Sequence, residues 1–147
     1  MPKSRENAPV TVRGQIWGEL DAPRLPSDSE RRVLSALSDA VGDPLLHDQV
    51  TSVVVDAVCR CGCSSMRLRS DGPAIPAQRV SELSSRRRPD YFAVEAFGRD
   101  ADHQDVNVVL HVMGGRVGEL EIFDTVNGEG AAVSLAGLAN LTAPTVN

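Results

Sequence analysis

The three cysteines of the chain lie close together and mark the first place where the sequence could support chemistry. Cys59, Cys61 and Cys63 form the sequence C-R-C-G-C at the expected tip of a β-hairpin. Thiolates bind Zn²⁺ tetrahedrally, so this tip could supply part of a zinc site. The spacing differs from the usual C-x-x-C and the sequence has no second cysteine pair, so a histidine would have to complete the site. The histidines are His47, His103 and His111.

The same cysteines allow a thiol-redox hypothesis, in which Cys59 pairs with Cys61 or Cys63. Such a pair would lack one feature that usually lowers a thiol pKa, because no helix is expected to begin beside this tip. The simplest interpretation is a tight β-turn with small, half-buried side chains, where Gly62 adopts a positive φ angle. The sequence leaves these three interpretations open.

A second group of chemically capable side chains is expected on one face of a sheet. Strand alternation places Glu95, His111, Glu119 and Glu121 on the same outer face. Two carboxylates and a histidine could act as general acids and bases if a pocket held a substrate above them. A half-polar sheet face is more typical of a docking surface, with aromatic side chains as anchors. The predicted partner-binding residues are Tyr91, Glu95, Phe97, His111, Glu119, Glu121 and Phe123.

The elements that must position these residues begin with one well-defined helix. Ser27 is predicted to cap it, and Glu30 stands three residues later, where a capping box requires an acidic side chain. Apolar residues at three- and four-residue spacing predict an amphipathic helix from Asp28 to Val41. Gly42 suits the carboxy-terminal cap, and Pro44 is expected to stop any continuation.

The remaining apolar alternation predicts an antiparallel sheet of about five strands. Two strands form the hairpin within 50–71, and three more are expected at 91–97, 106–113 and 116–124. A further edge strand within 10–20 and a short helical turn at 77–83 are also expected. The predicted fold class is therefore α+β, with one main helix packed on one face of the sheet. The predicted core residues are Val33, Leu34, Leu37, Val53, Val55, Met66, Leu68, Phe92, Val94, Val108, Leu110, Leu120 and Ile122.

The last two predicted strands, 106–113 and 116–124, form a hairpin that we call the closing hairpin. The positions of its apolar residues indicate how the two strands pair. A loop of only 114–115 would place Leu110 opposite Glu119 and mix buried with charged side chains on one face. A loop of 114–116 pairs Leu110 with Leu120, so we predict this three-residue loop with a left-handed glycine. The pairs expected from it are Leu110–Leu120, Val108–Ile122, Val112–Gly118, His111–Glu119 and Val109–Glu121.

Composition restricts the function classes. A chain of 147 residues with 41% hydrophobic and 24% charged residues resembles one folded globular domain. The net charge of -5 disfavours nucleic-acid binding, and arginines 86–88 alone are typical of a solvated loop. No apolar stretch suits a signal peptide or a membrane span, so a cytoplasmic protein with reduced cysteines is expected. We expect a flexible segment at 1–9, a single α+β domain at 10–127 and an irregular segment at 128–147.

Two motifs carry a resemblance to known proteins. The sequence V-C-R-C-G-C-S-S-M-R-L at 58–68 and the sequence V-V-L-H-V-M-G-G-R-V-G-E-L-E-I-F-D at 108–124 resemble a group of small uncharacterised bacterial proteins. The resemblance covers about 29–124. Proteins of this group are similar to small α+β immunity proteins that neutralise partner toxins, which implies a binding role.

The sequence therefore supports three functional hypotheses. The first is a non-catalytic protein-binding module that uses an exposed acidic sheet face and needs no cofactor. The second is a metal-binding or thiol-redox module at the cysteine tip, with zinc as the cofactor. The third is a small hydrolase or isomerase that uses His111 with Glu119 and requires a ligand-sized cleft over those side chains. The partner's identity is open, as is a homodimer formed through an exposed edge strand.

Overall fold

The computed structural model describes residues 17–60, 63–99, 105–125, 133, 135, 138 and 141–147. Within these residues, seven strands form one antiparallel sheet that three helices accompany. The strands are β1 (Trp17–Arg24), β2 (Val54–Cys59), β3 (Met66–Arg69), β4 (Tyr91–Arg99), β5 (Asp105–Met113), β6 (Arg116–Asp124) and β7 (Thr145–Val146). The helices are α1 (Asp28–Val41), α2 (Pro44–Ser52) and α3 (Ala77–Leu83). The strand order across the sheet is β1-β2-β3-β6-β5-β4-β7.

The prediction of about five strands and one main helix was wrong. The edge strand expected within 10–20 is present beside β2 as β1, which continues to Arg24, and the structure adds β7 beside β4 at the other edge. β7 pairs only two residues, Thr145 with Glu95 and Val146 with Val94, and is too short to show a period-two pattern in the sequence. Its position depends on a pairing across about fifty residues, which local alternation does not encode.

The second helix, α2, was also missed. The Asp43 carboxylate accepts hydrogen bonds from the backbone N–H groups of Leu45 and Leu46, at 2.9 and 3.2 Å, and Pro44 occupies the first turn. Proline ends a helix that precedes it, but it is also favoured at the first position of a new one. The same residue therefore stops α1 and begins α2.

The prediction for α1 was confirmed from cap to cap. The Ser27 hydroxyl accepts a hydrogen bond from the Glu30 backbone at 3.2 Å, and the Glu30 carboxylate accepts one from the Ser27 backbone at 2.8 Å. Gly42 ends the helix with a φ of 69°, in the left-handed region that glycine enters without steric cost. The helix turns Val33, Leu34 and Leu37 into the core.

The main core lies between the three helices and one face of the sheet, which we call the inner face. All thirteen predicted core residues belong to this cluster. A register shift in β2 changes which of its side chains face the main core. Val55 pairs with Leu68 on the inner face, but Ala57 pairs with Arg67, which lies on the opposite face. Because of this bulge, Ala57 and Cys59 lie in a separate small cluster with Trp17.

The closing hairpin has most of the predicted residue pairs, but its turn is shorter than predicted and a bulge follows the turn. Leu110 pairs with Leu120 as predicted, together with the flanking pairs Val108–Ile122, Val109–Glu121 and His111–Glu119. The three-residue loop and the Val112–Gly118 pair were wrong, because Val112 pairs with Val117 and the turn is the two glycines 114–115. A bulge at Gly118 supplies the extra residue that the apolar pattern requires.

Several predictions lie outside the described residues. These are the segment 1–9, the first part of the edge strand at 10–16, Cys61 and most of 128–147. In the part of the chain that the structure describes, no helix has both the length and the apolar character needed to span a membrane.

Candidate functional site

The sheet face opposite the helices, here called the outer face, brings the predicted functional residues into two rows. One row crosses the sheet through Arg67, Glu119, His111 and Ala93, on β3, β6, β5 and β4. The next row places Glu121, Val109 and Glu95 side by side on β6, β5 and β4. These ladders hold the side chains on a rigid support, because each strand involved is paired on both sides.

The acidic centre of the outer face is buried, so the predicted exposed acidic face was wrong at this point. Glu119 is 6% exposed and Glu121 is 1% exposed. Both lie on β6, an inner strand of the sheet between β3 and β5. Alternation assigns a side chain to a face of the sheet, but it carries no information about what covers that face.

A chain of hydrogen bonds connects the surface to this buried centre. The Tyr91 hydroxyl lies 2.6 Å from Nδ1 of His111, and Nε2 of His111 lies 2.9 Å from a carboxylate oxygen of Glu121. The side chains of His111 and Glu121 are 14% and 2% exposed. The imidazole is therefore held at both nitrogens, and its orientation is fixed by groups on β4 and β6.

A cleft of about 430 Å³ opens beside His111, between the outer face and the segment 84–90 that joins α3 to β4. Its chemically active lining is Arg86, Arg88, Tyr91, Glu95 and His111. The enzyme hypothesis required a cleft over His111 and Glu119. The cleft lies at His111, but Glu119 does not line it, and the carboxylate that contacts the imidazole belongs to Glu121.

The arginine segment at the rim of the cleft is ordered by specific contacts. Arg87 has a φ of 55°, and its backbone N–H donates to the Ser84 carbonyl at 3.0 Å while Ser81 donates to its carbonyl at 2.9 Å. The Arg88 guanidinium donates to both oxygens of Asp90, each at 3.1 Å, and lies 5.0 Å from the centre of the Tyr91 ring. The hydrogen bond from Arg88 lowers the pKa of Asp90 and keeps it ionised.

The sequence interpretation of 86–88 as a simple solvated loop missed this arrangement. The signal that could have found it is the proximity of the arginines to Tyr91 along the chain, since an arginine placed before a strand can reach the first aromatic side chain of that strand. The side chains of all three arginines are exposed, but the backbone between them is fixed.

The other predicted partner-binding residues divide into two groups. Glu95 borders the cleft and accepts hydrogen bonds from Asn107 at 3.4 Å and Asn147 at 3.1 Å. Phe97 and Phe123 lie in another row of the outer face, on either side of Asn107, and do not line the cleft. Phe97 is 46% exposed, whereas Phe123 is half-buried.

The structure places two of the three cysteines together. Cys59 is buried, and the half-buried Cys63 packs against the same small cluster, which also contains Trp17 and Ala57. Cys61 lies outside the described residues, so a three-thiolate zinc site stays a prediction. The bulge in β2 is what turns Cys59 towards the side on which Trp17 packs.

Among the described residues, a second group of side chains, separate from the cysteines, places metal-donor atoms close together. His111, Glu119 and Glu121 each offer one donor atom, and these atoms all lie within 4.8 Å of one another. The sequence predicts acid–base or docking roles for these residues, because strand pairing shows which side chains are neighbours but not how closely their donor atoms converge.

Comparisons of the chain with protein-family models, with curated proteins and with solved structures found no significant match, so functional assignment depends on the geometry of this site.

Proposed function

We propose that the chain is a non-catalytic protein-binding module that acts in the cytoplasm and recognises its partner through the arginine-rimmed cleft. The observation that carries this proposal is the 430 Å³ cleft lined by Arg86, Arg88, Tyr91 and His111. The buried Glu119 and Glu121 support the cleft and do not contact the partner. A binding role agrees with the resemblance to toxin-immunity proteins described above.

The chemistry of the cleft favours a carboxylate-bearing segment of the partner. Arg86 is exposed at the rim and is the main carboxylate-binding group, whereas Arg88 lies over the Tyr91 ring and already donates to both oxygens of Asp90. Guanidinium groups bind carboxylates through paired hydrogen bonds, and the Tyr91 hydroxyl adds a further polar contact. The exposed ring of Phe97, on the same outer face, offers an apolar anchor next to this charged region.

The rim is already organised before a partner arrives. Arg87 holds a left-handed backbone conformation that costs about 1–2 kcal/mol for a residue other than glycine. Contacts from Ser81 and Ser84 maintain that conformation. Binding at a preorganised segment loses less conformational entropy, and strained backbone of this kind is concentrated at functional sites.

The test is an NMR titration of the full chain with capped hexaglutamate as the carboxylate probe. We expect saturable shifts confined to the amides of 84–93 and 109–111. Arg86→Glu should weaken binding at least about 10-fold, because it replaces an attractive charge at the rim with a repulsive one. Arg32→Glu, an exposed position on α1 across the sheet, should leave the affinity unchanged.

Two results would contradict this proposal. The first is the absence of saturable binding to the folded chain. The second is equal weakening by Arg86→Glu and Arg32→Glu, since that result would attribute the interaction to net charge instead of the cleft.

A second candidate function, a small acid–base enzyme, is favoured by one observation. The cleft opens on an imidazole that a buried carboxylate orients, as catalytic histidines often are. Hydrolysis of p-nitrophenyl esters by the full chain would test it. Turnover that His111→Gln removes would support the enzyme, whereas turnover that survives this substitution would exclude His111 as its base.

A further inference from the structure

We propose that His111, Glu119 and Glu121 form a binding site for one first-row divalent transition-metal ion, with Tyr91 as a positioning residue. The proposal goes beyond partner recognition, because two of the three ligands lie behind the cleft and do not line it.

The donor atoms lie close to the spacing of one coordination sphere. They lie within 4.8 Å of one another, and Nε2 of His111 is 2.9 Å from the Glu121 oxygen. Ligands about 2.0–2.2 Å from a common ion are about 3 Å apart when adjacent and about 4 Å apart when opposite. Small side-chain rotations would therefore bring all three donors onto one ion.

The sheet holds these ligands in place. Glu119 and Glu121 project from the same side of β6, and His111 is the direct cross-strand partner of Glu119 on β5. Three ligands from two paired strands form a more rigid set than ligands on loops, which favours a defined coordination geometry.

Burial and charge favour a cation at this position. The side chain of Glu121 is 2% exposed and Glu119 is 6% exposed, so two neighbouring carboxylates share a poorly hydrated region. Like charges this close repel each other, and a divalent ion would neutralise both.

The contact with Tyr91 has the role of an outer-sphere interaction. Its hydroxyl lies 2.6 Å from Nδ1 of His111. With an ion bound, Nδ1 would carry the proton and donate it to this oxygen, and Nε2 would present its lone pair to the ion. The donor set of one imidazole and two carboxylates suits Zn²⁺ or Mn²⁺. Ca²⁺ and Mg²⁺ fit it less well, because both prefer ligand sets made of oxygen alone. Three protein ligands leave a coordination position open, and His111 borders the cleft through which an ion would enter.

The first experiment measures Mn²⁺ binding to the EDTA-treated, dialysed full chain by loss of the EPR signal of free Mn²⁺. Mn²⁺ binds thiolates poorly, so the cysteine tip contributes little to the signal. We expect one ion per chain. Glu119→Gln and His111→Gln should each weaken binding at least about 10-fold, and Tyr91→Phe about 10- to 100-fold, as is typical for outer-sphere partners of metal ligands.

Two matched controls separate this site from general charge effects. Asp105→Asn removes an exposed carboxylate from the same strand as His111, and His47→Gln removes a histidine from α2. Neither should change Mn²⁺ affinity. Equal weakening by Asp105→Asn and Glu119→Gln would overturn the proposal.

The second experiment uses the wild-type chain, so it does not depend on a variant that folds. Zn²⁺ is added while the ring signals of the histidines are followed by NMR. A saturable shift of the His111 ring supports the site. A shift confined to His47 or His103, loss of zinc binding in Cys61→Ser, or no saturable binding of either metal would overturn it. Partner recognition is tested with hexaglutamate and Arg86→Glu, so either proposal can fail alone.

Discussion

Gly114 and Gly115 form the tip of the closing hairpin, but packing restricts only one of them. Both have positive φ angles, 60° and 79°. A Cβ at position 114 would meet nothing within 4 Å, whereas a Cβ at position 115 would overlap the backbone of Ile75. The Ile75 N–H also donates to the Gly115 carbonyl at 2.9 Å, so the two segments are in direct backbone contact.

Substituting each glycine with alanine should therefore give unequal losses of stability. Gly114→Ala should reduce the free energy of unfolding by about 1–2 kcal/mol, the cost of a left-handed alanine. Gly115→Ala adds the overlap with Ile75 and should exceed this loss by at least about 1 kcal/mol. Urea unfolding followed by circular dichroism measures both, and equal losses would show that the contact with Ile75 does not restrict position 115.

At the scale of elements, a single buried amide connects α2 to the closing hairpin. The Gln49 side chain is fully buried, and its NH₂ group donates to the carbonyls of Pro73 at 2.9 Å and Gly115 at 2.8 Å. Its carbonyl accepts from the Val117 backbone at 2.9 Å. These bonds connect α2 to Pro73, between β3 and α3, and to the turn and first residues of β6.

Gln49→Leu should destabilise the fold by about 2–4 kcal/mol, because it keeps an apolar volume but leaves buried backbone donors and acceptors unsatisfied. Gln78→Leu on α3 makes the same chemical change at an exposed position and should alter stability by less than about 0.5 kcal/mol. Thermal and urea unfolding of both variants would check this. A loss at Gln49 no larger than at Gln78 would be inconsistent with a bridging role.

At the scale of the whole molecule, the two faces of the sheet have different organisation. The inner face is covered by α1, α2 and α3 and carries the main core. On the outer face, Glu119 and Glu121 are buried near the centre, and a cleft lies beside His111. Because the cleft and the proposed metal ligands share the outer face, substitutions on α1 should affect stability without changing either binding activity.

The stability of the whole chain should depend on pH through Glu30, which joins β1 to α1. Burial disfavours the charged form of Glu30, but hydrogen bonds from Arg24 and Ser27 outweigh this and lower its pKa below 4.5. A lowered folded pKa means that the stabilisation is present above pH 4.5 and is lost as pH falls through the folded value. Arg24 is 41% exposed, so solvent screening limits the contribution to less than about 1 kcal/mol.

Glu30→Gln keeps the oxygen that accepts from Ser27 but removes the charge. We expect a small loss of stability at pH 7, below about 1 kcal/mol, and a weaker dependence of stability on pH between about 5 and 3. Glu82→Gln on α3 is the control, since this carboxylate is exposed. Unfolding curves at several pH values would test the prediction, and an unchanged pH dependence in Glu30→Gln would refute it.

Features that depend only on neighbouring residues could be predicted from the sequence. The capping box at Ser27, the apolar stripe of α1 and the pairing of Leu110 with Leu120 follow from local spacing, because helical and strand periods fix which side chains share a face. The same rule correctly placed His111 opposite Glu119 on the side away from the helices. It also marked Tyr91 and Glu95 as members of that side.

The contacts that those side chains make could not be predicted from local spacing. The burial of Glu119 and Glu121, the contact of His111 with Glu121 and the arginine rim over Tyr91 depend on elements that are distant in the sequence. So do the bulges in β2 and at Gly118 and the short edge strand β7. The physical reason is that periodicity assigns direction along one element, whereas distance, burial and charge at a site are set by how separate elements pack together.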